Sequence, residues 1–248
     1  SLSAQVLATL KEMDVAGVTE LATELDLSKS TAHIHLTTLV ENGLVVKRDG
    51  RYELALKLFA FGEYVRSRNP LYRQGKPQVD ELADDTGQYV HIVTEEKGRA
   101  INLYQVKGDT SVSGEYQTTK PQQRDHLHYT ASGKAILAYL PEQRVDEIID
   151  RHGLPERTAK TVTDPEALFE ELAAIRQRGY AYNDEEEIEG FRAIAAPIQT
   201  PGGDVLGSLS VSGPASVLQG DRFEETLPKQ VVNSANVIEV NINMSNRS

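Results

Sequence analysis

Residues 27–54 read LSKSTAHIHLTTLVENGLVVKRDGRYEL, and the reading of this stretch decides the fold of the N-terminal part of the chain. Ala32, Leu36, Leu39 and Val40 recur at helical spacing. Ser28 stands just before them as an N-cap, its hydroxyl able to accept from first-turn N–H groups. Asn42-Gly43 stops the helix. Beyond it, Leu44–Arg48 and Arg51–Leu54 flank Asp49-Gly50, a strong short-range signal for a two-residue hairpin. Working backwards, Leu2, Val6, Leu7 and Leu10 predict a helix over 2–13, Gly17 breaks it, and Val18–Leu25 predicts a second with Leu21, Ala22 and Leu25 inward. Three short helices followed by a β-hairpin describe a winged helix-turn-helix.

The third helix then has an outer face. Helical geometry puts Lys29, Ser30, His33, Ile34 and Thr37 opposite the apolar stripe, with Ser28 and Thr31 at its start. A DNA major groove admits one such helix, and its N-terminal half reaches base edges. Ser30 and Thr37 can donate or accept, His33 can read a purine edge, and Ile34 can pack on a thymine methyl. In the hairpin, Lys47, Arg48 and Arg51 are candidate phosphate contacts. The competing readings are a solvated helix face used for protein contact and a merely solvated hairpin. His35 falls between the faces and reads equally well as a structural histidine.

Downstream, Leu56–Arg66 carries Leu58, Phe59, Phe61 and Val65 in an amphipathic connector, and Pro70 marks a boundary, giving domains over 1–68 and 69–248. The second part mixes elements. A helix is predicted near Gln78–Thr86, and hairpins over Gln88–Thr94/Arg99–Val106 and Ala193–Gln199/Val205–Gly213. Further helices are predicted over Ala131–Leu140, Pro141–Arg151, Pro165–Arg178 and much of Arg222–Val240. The fold class is α+β with an antiparallel sheet. Ser210 and Ser212, two apart on a strand, share a face and need partners. Ala131 and Ser132 open a helix whose free N–H groups favour a carboxylate or phosphate.

Charge weighs against an ordinary nucleic-acid binder. The net charge is −11, and residues 1–66 hold 7 Lys/Arg against 9 Asp/Glu. The stretch Ser28–Arg51 is locally positive, with Lys29, Lys47, Arg48 and Arg51 against Glu41 and Asp49. Acidity elsewhere suits a high-salt cytoplasm, where strong hydration keeps protein soluble. Cysteine is absent, which removes thiol chemistry and Cys-ligated zinc. No apolar run is long enough to span a membrane and no signal peptide opens the chain, so a cytoplasmic protein is expected. His126 and His128 could offer two nitrogens to a metal, but no third ligand is obvious nearby. Ser132-Gly133 lacks the Gly-x-Ser-x-Gly elbow and an assigned base, and no phosphate-loop glycine pattern occurs, so no enzyme and no cofactor are expected. The Asp184–Glu187 run reads as a solvated loop rim.

Three stretches, in order and over essentially the whole chain, resemble the IclR family of transcription regulators. They are Leu27–Leu36 with Leu39 and Asn42-Gly43-Leu44-Val45; Ala131-Ser-Gly-Lys-Ala-Ile-Leu-Ala138; and Arg178-Gly-Tyr-Ala181, Glu186, Gly190–Ile198 and Leu209–Pro214. The resemblance implies a DNA-binding domain joined by a linker helix to a GAF-like effector-binding domain. It also implies a double-stranded operator, a homodimer or homotetramer, and a small anionic metabolite, typically an organic acid. By the same resemblance Ala131, Ser132, Asn183, Ala193, Ser210 and Ser212 would line the effector pocket. The chain departs from the family pattern at Ile34, where Arg is usual, at Asn183, where an acidic or Ser residue is commoner, and at Ala193, often Cys. It also reads Gln199-Thr200 where an aromatic or His plus Asp/Asn is usual.

Overall fold

The computed structural model describes residues 1–111 and 124–245, which divide into two compact units, Ser1–Arg68 and Asn69–Ser248. In the first unit α1 (Leu2–Met13), α2 (Val18–Glu24) and α3 (Lys29–Glu41) enclose Val6, Leu10, Leu21, Leu36 and Leu39. The wing is β2 (Val45–Arg48) and β3 (Arg51–Leu54), with Val45 and Tyr52 turned into the same core. Its tip needs two left-handed residues, and Asp49 and Gly50 supply φ of 50° and 78°, the geometry of a type I′ turn. A third strand absent from the sequence reading, β1 (Val15–Ala16), pairs with β3 on the side away from β2. Two residues are too few to show a period. α4 (Lys57–Arg68) ends the unit.

The second unit opens on α5 (Pro70–Thr86), eight residues earlier than the start near Gln78 expected. Asn69 caps it by accepting from the Leu71 N–H, Pro70 tolerates the first turn, and Pro77 lies on the exposed face. The carbonyl left without a helical donor at that face can be hydrated. Six antiparallel strands follow: β4 (Tyr89–Glu96), β5 (Arg99–Lys107), β6 (Arg124–Asp125), β7 (Ala181–Asp184), β8 (Phe191–Gln199) and β9 (Val205–Pro214). Their order in the sheet is β6-β5-β4-β9-β8-β7.

Strand alternation sorts the side chains between two cores. Ile92, Ile194, Leu209 and Val211 pack against α5 and the final helix α9 (Leu227–Ser245), which a π-helical turn at Arg222–Thr226 precedes. Val93, Ala100 and Ala195 face α6 (Ala131–Leu137), α7 (Glu142–His152) and α8 (Pro165–Arg178). α6 is shorter than the Ala131–Leu140 expected, at 7 residues. Gly133 allows α6 to start where it does, because a Cβ there would lie 2.1 Å from the Leu127 carbonyl oxygen. No helix among the described residues is long and apolar enough to cross a membrane.

Candidate functional site

Two surfaces concentrate polar chemistry. The first is α3. Ser28 Oγ accepts from the Thr31 N–H at 3.1 Å and bonds the hydroxyls of Ser30 (2.9 Å) and Thr31 (2.8 Å), so these residues fix the helix start. Lys29, Ser30, His33, Ile34 and Thr37 are all exposed along one side, Ile34 at 63%. His35 belongs elsewhere: its Nδ1 lies 2.9 Å from Ser3 Oγ, tying α3 to α1.

The wing cations differ among themselves. Lys47 lies over the Tyr52 ring at 5.4 Å, and Arg48 meets Glu53 at 3.2 Å while staying 76% exposed. Arg51 is engaged by the protein: Nη2 donates to Glu20 Oε2 and to the Val15 carbonyl, both at 2.9 Å. Glu20 in turn accepts from the Gly17 N–H at 2.7 Å, and that bond, with Arg51, holds its carboxyl below the usual range. The geometry therefore gives Arg51 a bracing contact that the sequence reading did not foresee. α4 buries no residue, and Phe59, Phe61 and Val65 are exposed apolar side chains along it, with Leu58 half-buried.

The second surface is a cleft between the sheet and the start of α6, about 720 Å³ of open space with its mouth included. Ala131, Ser132, Asn183, Ala193, Ser210 and Ser212 all line it. Ser132 donates to Ser210 at 2.8 Å, and Ser208 donates to the Ser132 carbonyl at 3.0 Å, pinning α6 to β9. Asn183 also braces the structure, its Nδ2 donating to the Tyr129 carbonyl and its Oδ1 accepting from the Glu186 N–H, both at 2.9 Å. The helix start is less open than the sequence suggested, because Thr130 Oγ already accepts from the Gly133 N–H at 2.9 Å.

Sequence reasoning missed His91, Asn102, Asp125, Phe191 and Arg192 of the lining. Asp125 Oδ1 accepts from the Tyr129 hydroxyl at 2.9 Å, and burial with that neighbouring charge pushes the phenol up to about 12. Arg192 donates to Asp184 at 2.6 Å and to the Leu218 carbonyl at 3.0 Å, and lies 5.0 Å from the Phe223 ring centre. None of these carries a local signature, since each reaches the cleft through strand order.

Behind the cleft, the acid run is not a solvated rim throughout. Lys134 has no exposed surface and reaches Glu171 and Glu186 at 2.6 Å each. Burial raises the Glu186 carboxyl above its ordinary range, and Lys134 opposes the rise. His126 and His128 follow β6 rather than sharing a strand face, with ring centres 5.6 Å apart. His128 Nε2 donates to the Pro155 carbonyl at 3.1 Å. Burial first, then Arg99, pushes the His126 imidazole down to about 4. Among the described residues no three His, Cys, Asp or Glu side chains come together as metal ligands.

Known proteins match along the chain. Residues 3–49 match the IclR helix-turn-helix domain, and residues 63–240 match the bacterial transcriptional regulator IclR C-terminal domain. A probable HTH-type transcriptional regulator, ArcR of Halobacterium salinarum, is 40% identical over 96% of this chain and 91% of its own. The solved Thermotoga maritima IclR is 28% identical with a TM-score of 0.77, covering 97% of this chain and 96% of its own. An IclR homologue from Microbacterium hydrocarbonoxydans, complexed with 4-hydroxybenzoate, has the same fold at 22% identity and a TM-score of 0.80, covering 97% of this chain and 98% of its own.

Proposed function

We propose that this chain, which belongs to the IclR family of transcription regulators, binds a double-stranded operator in a sequence-specific way and releases or grips it in response to a small organic acid. The observation that carries the DNA reading is the exposed row on the N-terminal half of α3. Ser30, His33, Ile34 and Thr37 read base edges, Ser28, Lys29 and Thr31 approach the backbone at the helix start, and Lys47 and Arg48 take phosphates. Arg51 acts through Glu20 and the Val15 carbonyl, holding the wing in place. Replacing His33 with Ala should relax preference at one base position, a loss of about 1–3 kcal/mol on the preferred site. Replacing Arg48 with Ala should weaken all duplexes alike and reduce the salt slope by about one. Gel shifts over genomic fragments check both. Uniform affinity for every fragment would refute sequence reading, and no affinity at low salt would favour a sensor acting through protein contacts.

The effector reading rests on the convergence of Ala131, Ser132, Asn183, Ala193, Ser210 and Ser212 on one cleft. A fold neighbour holds 4-hydroxybenzoate, an aromatic acid. A carboxylate would sit by Ser210 and Ser212, with Ala193 and Phe191 supplying apolar wall. The acid shifts operator affinity only if it binds two states of the protein unequally. We further propose a homodimer or larger homo-oligomer in the cytoplasm, because one recognition helix spans only a few base pairs and a two-fold pair reads a palindrome. α4 supplies part of the interface through its exposed Phe59, Phe61 and Val65. Light scattering should give a multiple of 27.4 kDa, and Phe59→Lys with Phe61→Lys should lower it. A wild-type monomer at micromolar concentration would sink the assembly.

A further inference from the structure

β4 and β5 do not pair in simple register. Ile92 faces Tyr104 while Val93 faces Asn102, so Leu103 is an extra residue on β5. Bulges of this kind re-aim side chains and recur beside functional sites. Here Asn102 Nδ2 lies 3.1 Å from Gln105 Oε1 and 3.4 Å from His91 Nδ1. His91 Nε2 lies 3.0 Å from Ser212 Oγ, and His91, Asn102 and Ser212 all line the cleft.

The chain of bonds has a direction. An amide nitrogen only donates, so His91 Nδ1 accepts from Asn102. A neutral imidazole that accepts at Nδ1 carries its proton on Nε2 and donates it to Ser212. Ser212 Oγ is then an acceptor inside the protein, and its own proton is left for another group. In this orientation Asn102 Nδ2 faces Gln105 Oε1, and Asn102 Oδ1 is buried without a partner. Turning both amides over together would keep their bond and reverse the chain, so the His91 tautomer distinguishes the two directions. On the same strand Ser210 accepts from Ser132, so both β9 hydroxyls that line the cleft have a proton to give.

We propose that Asn102, acting through His91, is a positioning residue that fixes Ser212 as a hydrogen-bond donor. The β9 side of the cleft then gives a proton to an acceptor, a carboxylate or carbonyl, and discriminates against an ammonium there, which cannot accept. The inference rests on the effector reading above. It extends that reading to residues on β4 and β5, and explains how a serine that can donate or accept is committed to one role. Asn102→Asp reverses the chain. A carboxylate only accepts, the neutral imidazole then carries its proton on Nδ1, and Ser212 donates to His91 instead of to the effector.

The test has two arms, both at alkaline pH where the imidazole is neutral. The first is the ¹⁵N spectrum of the His91 ring in the full chain without ligand. The Nε2–H tautomer is expected in the wild type and the Nδ1–H tautomer in Asn102→Asp, a change that loss of packing alone would not produce. An Nδ1–H tautomer in the wild type overturns the proposal and needs no variant to fold. The second arm is calorimetry with pyruvate, gluconate and 4-hydroxybenzoate as probes. An acid that binds the wild type should bind Asn102→Asp at least roughly tenfold more weakly. The loss should shrink when the substitution is repeated in Ser212→Ala, which separates the lost donor from the repulsion between the new carboxylate and an anion. Equal binding in the first pair, or an undiminished loss in the second, overturns the proposal. If none of the three binds the wild type, the failure belongs to the effector reading, and the tautomer still decides this one.

Discussion

Replacing Lys134 with Met is expected to cost the C-terminal unit about 3–5 kcal/mol of stability, the scale for removing one partner of a buried ion pair. The ammonium has no exposed surface and lies 2.6 Å from both Glu171 and Glu186. Met keeps the stem and its packing but leaves the buried Glu186 facing no counter-charge. Glu171 is 24% exposed and can remain hydrated, so Glu186 carries the penalty. Its carboxyl is already raised by burial, and Lys134 is the group that pulls it down. An acid whose folded pKa lies above its unfolded value binds its proton more tightly when folded. Its destabilisation is therefore fully present above the folded pKa and shrinks as pH falls. Denaturant titration at neutral and mildly acidic pH should show a deficit that narrows with acid. A deficit under ~1 kcal/mol at neutral pH, or one that deepens on acidification, would refute the buried-charge account. Adding Glu186→Leu to Lys134→Met should recover part of the loss, since a matched apolar replacement is often close to neutral.

The second large effect tests the proposed response to an organic acid. Ser210→Ala together with Ser212→Ala should abolish the effect of the acid on operator affinity while leaving ligand-free DNA binding nearly intact. Coupling between such sites is typically ~1–3 kcal/mol, or roughly 5–150-fold in affinity, and that whole factor should disappear. Both hydroxyls sit on the cleft face of β9, while Leu209 and Val211 between and beside them pack into the opposite core. Alanine at both positions thus removes donors without opening that core. Ser132 loses its acceptor at Ser210, a local cost of about 1 kcal/mol that melting should register separately. Operator titrations with and without acid, in wild type and double variant, make the comparison. If the double variant still responds to a bound acid, the cleft is not the sensing site.

These two predictions differ in how far the sequence could have reached them. The serine pair was legible, because alternation on a strand puts Ser210 and Ser212 on one face whatever lies opposite. Lys134 was not. A lysine inside Ala-Ser-Gly-Lys-Ala carries no local mark of burial, and Glu186 sits in a run of acids that reads as solvated. Their pairing spans 52 residues and exists because α6 packs beside the connection that leaves β7. The start of α5 was not legible either. The expected helix begins near Gln78, yet α5 starts at Pro70 and runs through Pro77, whose position on the exposed face lets water serve the carbonyl that lost its donor.

The sequence by itself determined the three helices and hairpin of the winged unit, the presence of most helices and of both long hairpins after it, and the family. Caps, turn chemistry and hydrophobic period act within a few residues, and motif order survives in the linear chain. Only the tertiary structure decided what each polar side chain does. Arg51 is held by Glu20, 31 residues away, and Asn183 is tied to Tyr129 and Glu186. His91 is brought to Ser212 across 121 residues by the pairing of β4 with β9. The physical reason is the same in each case. A backbone conformation is set by neighbours in the chain, whereas a hydrogen-bond partner is set by which strands lie side by side, and that order appears only when the sheet closes over its two cores.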